Sequence, residues 1–241
     1  VNDYNNQNVD NLQAKILRNV AEDLKTPLTR IFYSAEYNRL NKIIDDGLIE
    51  VSAKTAIDII DSYIYSSQLE YSNCQLKLEP VSLSVAISDA VFRLKNFAKF
   101  ENCYLETKYP TPKSNLVMAQ KSALETAIWS LCYSFILASD QSSGNKLSQI
   151  QLFTKIKKGG ILVSLFGSNV SVGIDELNRA RSLIGESRNL ITGLRFGTSA
   201  GIVVADRLLN AMGSSLISVK EDGKRGLGTI LLPSKQISLL G

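Results

Sequence analysis

The chain has 241 residues, 44% of them hydrophobic and 21% charged, with a formal net charge of +4 and no histidine. That length suits two domains, and that apolar content supplies a buried core, which excludes a disordered chain. The scattered Lys and Arg exclude a nucleic-acid footprint, and the missing imidazole excludes a Ser-His-Asp triad, a His-based zinc site and a histidine general base.

Cys74, Cys103 and Cys132 are odd in number and far apart. They read as reduced thiols in a reducing compartment, and no metal site is expected. No apolar run reaches the roughly 20 residues of a membrane helix. The polar start over 1–8, with no initiator Met and no signal peptide, reads as a piece of a larger protein.

Val9, Leu12, Ile16, Val20, Leu24, Leu28, Ile31 and Ala35 fall three and four residues apart. This spacing predicts one long helix with an apolar seam. Pro27 inside it predicts a kink. Glu22 and Asp23 lie between seam positions and read as solvated acids pointing off it. Asp45-Asp46-Gly47 predicts a helix stop, with Gly47 at positive φ. Ala53, Ala56, Ile57, Ile60, Ile64 and Ser67 predict the seam of a second helix. Two long helices and a short turn make an antiparallel helical hairpin, assigned to residues 1–78. One hairpin leaves its seam uncovered. Two hairpins make a four-helix bundle, so a homodimer is expected.

Residues 79–241 predict a second domain, a two-layer α/β sandwich. A short strand over 76–83 enters a helix over 83–100, capped by Ser82 or Ser84. A strand over 104–109 and a strongly apolar helix over 120–138 follow. Strands over 149–157 and 161–166 predict a hairpin turned at Gly159-Gly160. Helices over 175–183 and 199–211, a strand over 216–219, a turn over 222–228 and a strand over 229–232 complete the domain.

The run Ala21-Glu22-Asp23-Leu24-Lys25-Thr26-Pro27-Leu28-Thr29-Arg30-Ile31 resembles the phosphoacceptor segment of sensor histidine kinases, usually His-Glu-Leu-Arg-Thr-Pro-Leu. Glu22 stands where that family keeps its histidine. Phe196-Gly197-Thr198-Ser199-Ala200-Gly201, with the helix after it, is similar to the family's Gly-Thr-Gly-Leu-Gly-Leu box. Asp222-Gly223-Lys224 and Gly228-Thr229-Ile230-Leu231-Leu232-Pro233 continue the likeness, which covers about 9–233.

The resemblance implies a histidine kinase ATPase domain of the GHKL (Bergerat) type after the hairpin. It implies that Ser130 and Ser134 stand where the family has Asn residues for Mg²⁺ and phosphate. Gly167 stands where an Asp reads adenine, and Asn169 and Ser171 stand at two loop glycines. Only Gly197 and Gly201, with Ser199 between, partly keep the last glycine box. A serine hydroxyl is a poorer hard-oxygen ligand than an amide. The implied nucleotide site is therefore degenerate, a pseudokinase pattern. No cofactor is expected, and ATP with Mg²⁺ only if that site works.

The function so implied is a histidine-kinase-like module of a two-component or phosphorelay pathway. Its paired hairpins would dock a response regulator receiver domain, a phosphotransfer protein or another histidine kinase around Lys25, Pro27 and Arg30. Two alternatives stand beside it. Asp23 and Thr26 match the acid-x-x-Thr pattern with which the family dephosphorylates its response regulator, a phosphatase reading. The chain can also be an active kinase core whose acceptor histidine has been replaced by Glu22. All three imply a cytoplasmic protein or the cytoplasmic part of a larger sensor.

Overall fold

The computed structural model describes residues 2–42, 46–71, 76–109, 116–139, 147–168, 170–172, 174–182 and 198–234; side chains are described from Val20 onward, except at 70–71, 176, 179–180, 182 and 198–200. Cys74, Asn169 and Gly197 lie outside them.

Two helices open the chain, α1 (Asn2–Asn41) and α2 (Gly47–Tyr71). α1 runs through Pro27 as one helix. It ends at Asn41, and Lys42 takes the left-handed conformation at φ 53°. Gly47 is not the positive-φ stop that the sequence suggested. It is the first residue of α2, and Glu50 N–H donates to the Asp46 carbonyl across that start.

The hairpin buries some of the expected seam positions and not others, and Val9, Leu12 and Ile16 lie outside the described side chains. On α1 the positions turned inward are Val20, Asp23, Leu24, Pro27 and Ile31, while Leu28 and Ala35 are exposed. On α2 the buried positions are Ser52, Thr55, Ala56, Asp58, Ile59, Ser62 and Ser66, of which Ala56 was expected in the seam. The seam isoleucines Ile57, Ile60 and Ile64 face out, uncovered in the single chain. Small polar residues can line a buried helix face when their hydroxyls find an acceptor on their own helix. Thr55 donates to the Val51 carbonyl at 2.8 Å and Ser62 to the Asp58 carbonyl at 2.6 Å.

The second part begins with β1 (Glu79–Ser82), three residues later than the alternation suggested. It continues through α3 (Leu83–Phe100), β2 (Cys103–Lys108), β3 (Leu116–Ala119), α4 (Lys121–Ala138), β4 (Ser148–Lys157), β5 (Gly160–Gly167), α5 (Ile174–Ser182), α6 (Thr198–Ala211), β6 (Leu216–Glu221) and β7 (Lys224–Leu231). Ser82 is the N-cap of α3, but its hydroxyl meets Ser84 Oγ rather than capping a backbone N–H. β3 had no sequence signal. It is a short strand that pairs antiparallel with β1, and its other edge meets the segment after β7, where Met118 N–H donates to Leu232 O and Ser234 N–H to Leu116 O.

The main sheet has five strands in the order β2-β4-β5-β7-β6, parallel between β2 and β4 and antiparallel elsewhere. The turn between β6 and β7 is only Asp222-Gly223, at φ 48° and 77°, which suits a right-twisted hairpin. The longer turn expected over 222–228 is therefore corrected. Gly226 and Gly228 are strand residues of β7. A side chain at Gly226 would meet the Leu165 carbonyl oxygen at 2.1 Å, so β5 and β7 need the glycine to come together.

Helices α3, α4 and α6 cover one face of this sheet, with Ile150, Leu152, Ile161, Val163, Leu165 and Leu227 beneath them in the same buried cluster. α4 is apolar on nearly every side because it is surrounded, with α3 and α6 flanking it and α2 above. Ile59 of α2 belongs to this core, and Leu24, Val51, Tyr63, Tyr65 and Leu69 of the hairpin pack against it.

Candidate functional site

Two regions hold the residues singled out from sequence. The first is the middle of α1. Asp23 is only 5% exposed, so the reading of a solvated acid is overturned. The helical turn aims it at α2, and the Tyr63 hydroxyl donates to its Oδ2 at 2.9 Å. Pro27, one turn on, is buried on the same side, while Glu22 is half-buried and Lys25 and Thr26 are exposed. Asp23 and Thr26 are three apart, yet one faces inward and the other faces water. The structure does not bring them together at one open surface.

Arg30 was expected on a docking surface. It forms an ion pair with the buried Glu101 just past α3, and its guanidinium lies 5.8 Å from the Phe97 ring centroid. Its charge thus joins α1 to α3. Lys25 and Thr26, with exposed Thr29, remain the outward polar face of this turn.

A second tie runs from α2 to α3 and α4. Arg93 Nη2 donates to Asp58 Oδ1 at 2.6 Å, with Lys54 Nζ at 3.4 Å from the same oxygen. The Arg93 guanidinium sits 5.7 Å from the Trp129 ring, which stacks on Tyr133 at 5.1 Å. Tyr65 donates to Gln120 Oε1, the side chain that also accepts from Ala123 N–H and caps α4. Sequence reasoning missed Asp58, Tyr63, Arg93 and Glu101. The available signal was an acid, Asp58, placed among small residues on α2, because a buried charge needs a partner.

The second region is the contact of α4 with α6. Ser130 and Ser134 are 1% and 0% exposed. The Ser134 hydroxyl donates back to the Ser130 carbonyl at 2.9 Å. Gly201 lies flush against both, since a β-carbon there would come 2.3 Å from Ser134 Oγ and 2.7 Å from Ser130 O. Gly167 ends β5, is buried, and a β-carbon on it would meet Val170 Cβ at 2.8 Å and the Phe135 ring at 3.5 Å. Ser130, Ser134 and Gly201 are thus brought together, with their small size spent on helix-to-helix approach. Ser199 is in the first turn of α6, with its side chain outside the described residues.

Behind α6, Asp206 receives Arg181 Nε and Nη2 at 2.8 and 2.7 Å, and Leu216 N–H at 3.2 Å. This two-pronged pair fixes α5, α6 and β6 to one another.

Comparison with known proteins yields no matching family model and no curated protein of similar sequence. Solved structures do match. The Acinetobacter baumannii histidine kinase AdeS aligns with a TM-score of 0.54 at 11% identity, over 88% of this chain and 97% of that one. Full-length ShkA in complex with AMPPNP aligns with a TM-score of 0.55 at 12% identity, over 93% of this chain and 46% of that one. At such identities the likeness speaks for the architecture. No helix among the described residues is long and apolar enough to cross a membrane. A helical hairpin followed by an α/β domain with a mixed five-stranded sheet, superposing on both proteins, gives this chain the fold of the histidine kinase core.

Proposed function

We propose that the chain is a two-component signalling module that works as a dimeric docking scaffold and does not use nucleotide. The observation that carries this reading is the tight contact of Ser130 and Ser134 with Gly201. The positions that the resemblance assigns to phosphate and metal carry short side chains, buried against each other. No acid stands at Gly167 to read an adenine amino group.

The exposed apolar face of the hairpin supports the dimer. Leu28 and Phe32 on α1, with Ile57, Ile60 and Ile64 on α2, are uncovered in the single chain. Contiguous exposed apolar surface of this kind marks an association site, and a second hairpin covers it as a four-helix bundle. Lys25, Thr26 and Thr29 lie in the turn that the resemblance assigns to a response regulator or phosphotransfer partner. The buried, Tyr63-bound state of Asp23 argues for docking there over dephosphorylation by an Asp23–Thr26 pair.

Thermal unfolding with Mg-ATP tests the reading. A ligand at a hundred times its dissociation constant adds roughly 2.7 kcal/mol to a fold that binds it. No shift is expected at millimolar Mg-ATP. A shift, or phosphate appearing on the chain, overturns it.

A further inference from the structure

Strand β2 is the edge of the main sheet. Ser148 N–H donates to the Asn102 carbonyl, and the register pairs Cys103 with Ser148. In a parallel ladder of that register the even-numbered residues of β2 turn their backbone groups to β4. The N–H and C=O groups of Cys103, Leu105 and Thr107 therefore point away from the sheet, toward the place of a sixth strand. No strand among the described residues pairs with that edge.

Above that place α3 overhangs. Ser88, Phe92, Lys95 and Lys99 form one stripe of the helix, and with Leu105 and Thr107 they line a groove of about 860 Å³. Phe92 is 77% exposed on its rim, a costly position for a large ring on a free surface. The lining holds two lysines and no acid. Neither Lys95 nor Lys99 has an ion-pair partner among the described residues.

We propose that this groove receives an extended acidic segment of a partner protein, which adds to the sheet as a strand beside β2. The outward backbone groups of Leu105 and Thr107 pair with the incoming chain. On the face that the incoming strand turns to α3, an apolar side chain enters under Phe92 and carboxylates two residues away along the strand meet Lys95 and Lys99. Strand addition of this kind takes affinity from backbone hydrogen bonds and selectivity from the pockets for alternate side chains. Among the described residues this edge carries no inward charge, proline or covering loop, the usual protections against strand pairing.

The test uses the whole chain and a short fluorescein-labelled peptide with valine and glutamate by turns at every second position and threonine between them, so that both face α3, with its lysine-for-glutamate counterpart. The acidic peptide is expected to bind and to slow exchange of the Leu105 and Thr107 amide protons. Thr107→Pro removes an N–H that no strand among the described residues pairs with, and proline is tolerated at such an edge. That variant and Lys95→Glu with Lys99→Glu should each weaken binding by about tenfold or more, equal to about 1.4 kcal/mol. Equal binding of the lysine peptide, or indifference to all three substitutions, overturns the proposal. So does slow exchange of both amides in the free chain, which would assign the edge to the chain's own residues. Self-association abolished by Thr107→Pro would assign it to a second copy and equally overturn it.

Discussion

Gly201 of α6 touches Ser134 of α4 so closely that a β-carbon on the glycine would lie 2.3 Å from the serine hydroxyl oxygen. The Ser130 carbonyl, 2.7 Å from the same point, is backbone and cannot turn aside. Gly201→Ala is therefore expected to destabilise by about 1–3 kcal/mol, the usual cost of overpacking. Ser134→Gly in the same chain should recover only part of that loss. Urea midpoints at unchanged slope measure both.

Asp58 and Arg93 join the hairpin to the α/β part. Asp58 is 2% exposed, whereas the Arg93 side chain is 36% exposed and reaches water. Removing the arginine is thus the worse change. Arg93→Met strands a buried carboxylate with only Lys54 at 3.4 Å, and about 3 kcal/mol or more should be lost. Asp58→Asn keeps an acceptor in place and should cost about 1–2 kcal/mol. The opposite order, read from urea denaturation, would show that the pair does not hold the two parts together.

Charge on the outer face of α2 should separate copies of the chain without unfolding one. Ile60 and Ile64 are exposed in the single chain. Ile60→Glu with Ile64→Glu is expected to turn a dimer into a monomer in light scattering, with the far-ultraviolet circular dichroism unchanged. A wild-type chain that is monomeric at micromolar concentration would remove the dimer from the proposed function.

Burial pushes the Cys103 thiol up to about 11 and the Cys132 thiol up to about 12, both from 9.0. Both should resist iodoacetamide at pH 8 while the chain is folded, because the thiolate is the reactive form. The linkage follows from the sign of the shift. The folded chain holds each proton more tightly than the unfolded chain does. The associated stability is present in full below pH 9.0 and is lost as pH rises through about 11 and then about 12. Peptide mapping after alkylation at pH 8, with and without urea, checks the first point. Urea midpoints between pH 8 and 10 check the onset of the second.

Much of the architecture was legible from periodicity, which is a local property. The apolar spacing along 83–100 and 120–138, the alternation in 149–157 and the turn at Gly159-Gly160 each report the chain's own geometry. The segment around Glu22 and the box ending at Gly201 pointed to the kinase-like order of elements. β3 left no such trace, because a four-residue strand is too short for a pattern and exists through pairing with β1 and the segment 232–234.

Which face of a helix is buried is not a local property. α2 carries both an isoleucine stripe and a stripe of Ser, Thr and Asp, and sequence alone favours burying the isoleucines. Packing against the α/β part buries the polar stripe: Arg93 neutralises Asp58, the Thr55 and Ser62 hydroxyls bond within their own helix, and the isoleucines are left exposed. The same holds at Gly226, Gly201 and Asp23. Each is explained by what a distant segment places against it: the Leu165 carbonyl, Ser134 and Tyr63. The sequence by itself determined the elements and their order, since these follow from neighbours along the chain. Tertiary structure alone decided the burial of Asp23, the closeness of α4 to α6 and the open groove at β2, since these depend on contacts between segments that no spacing records.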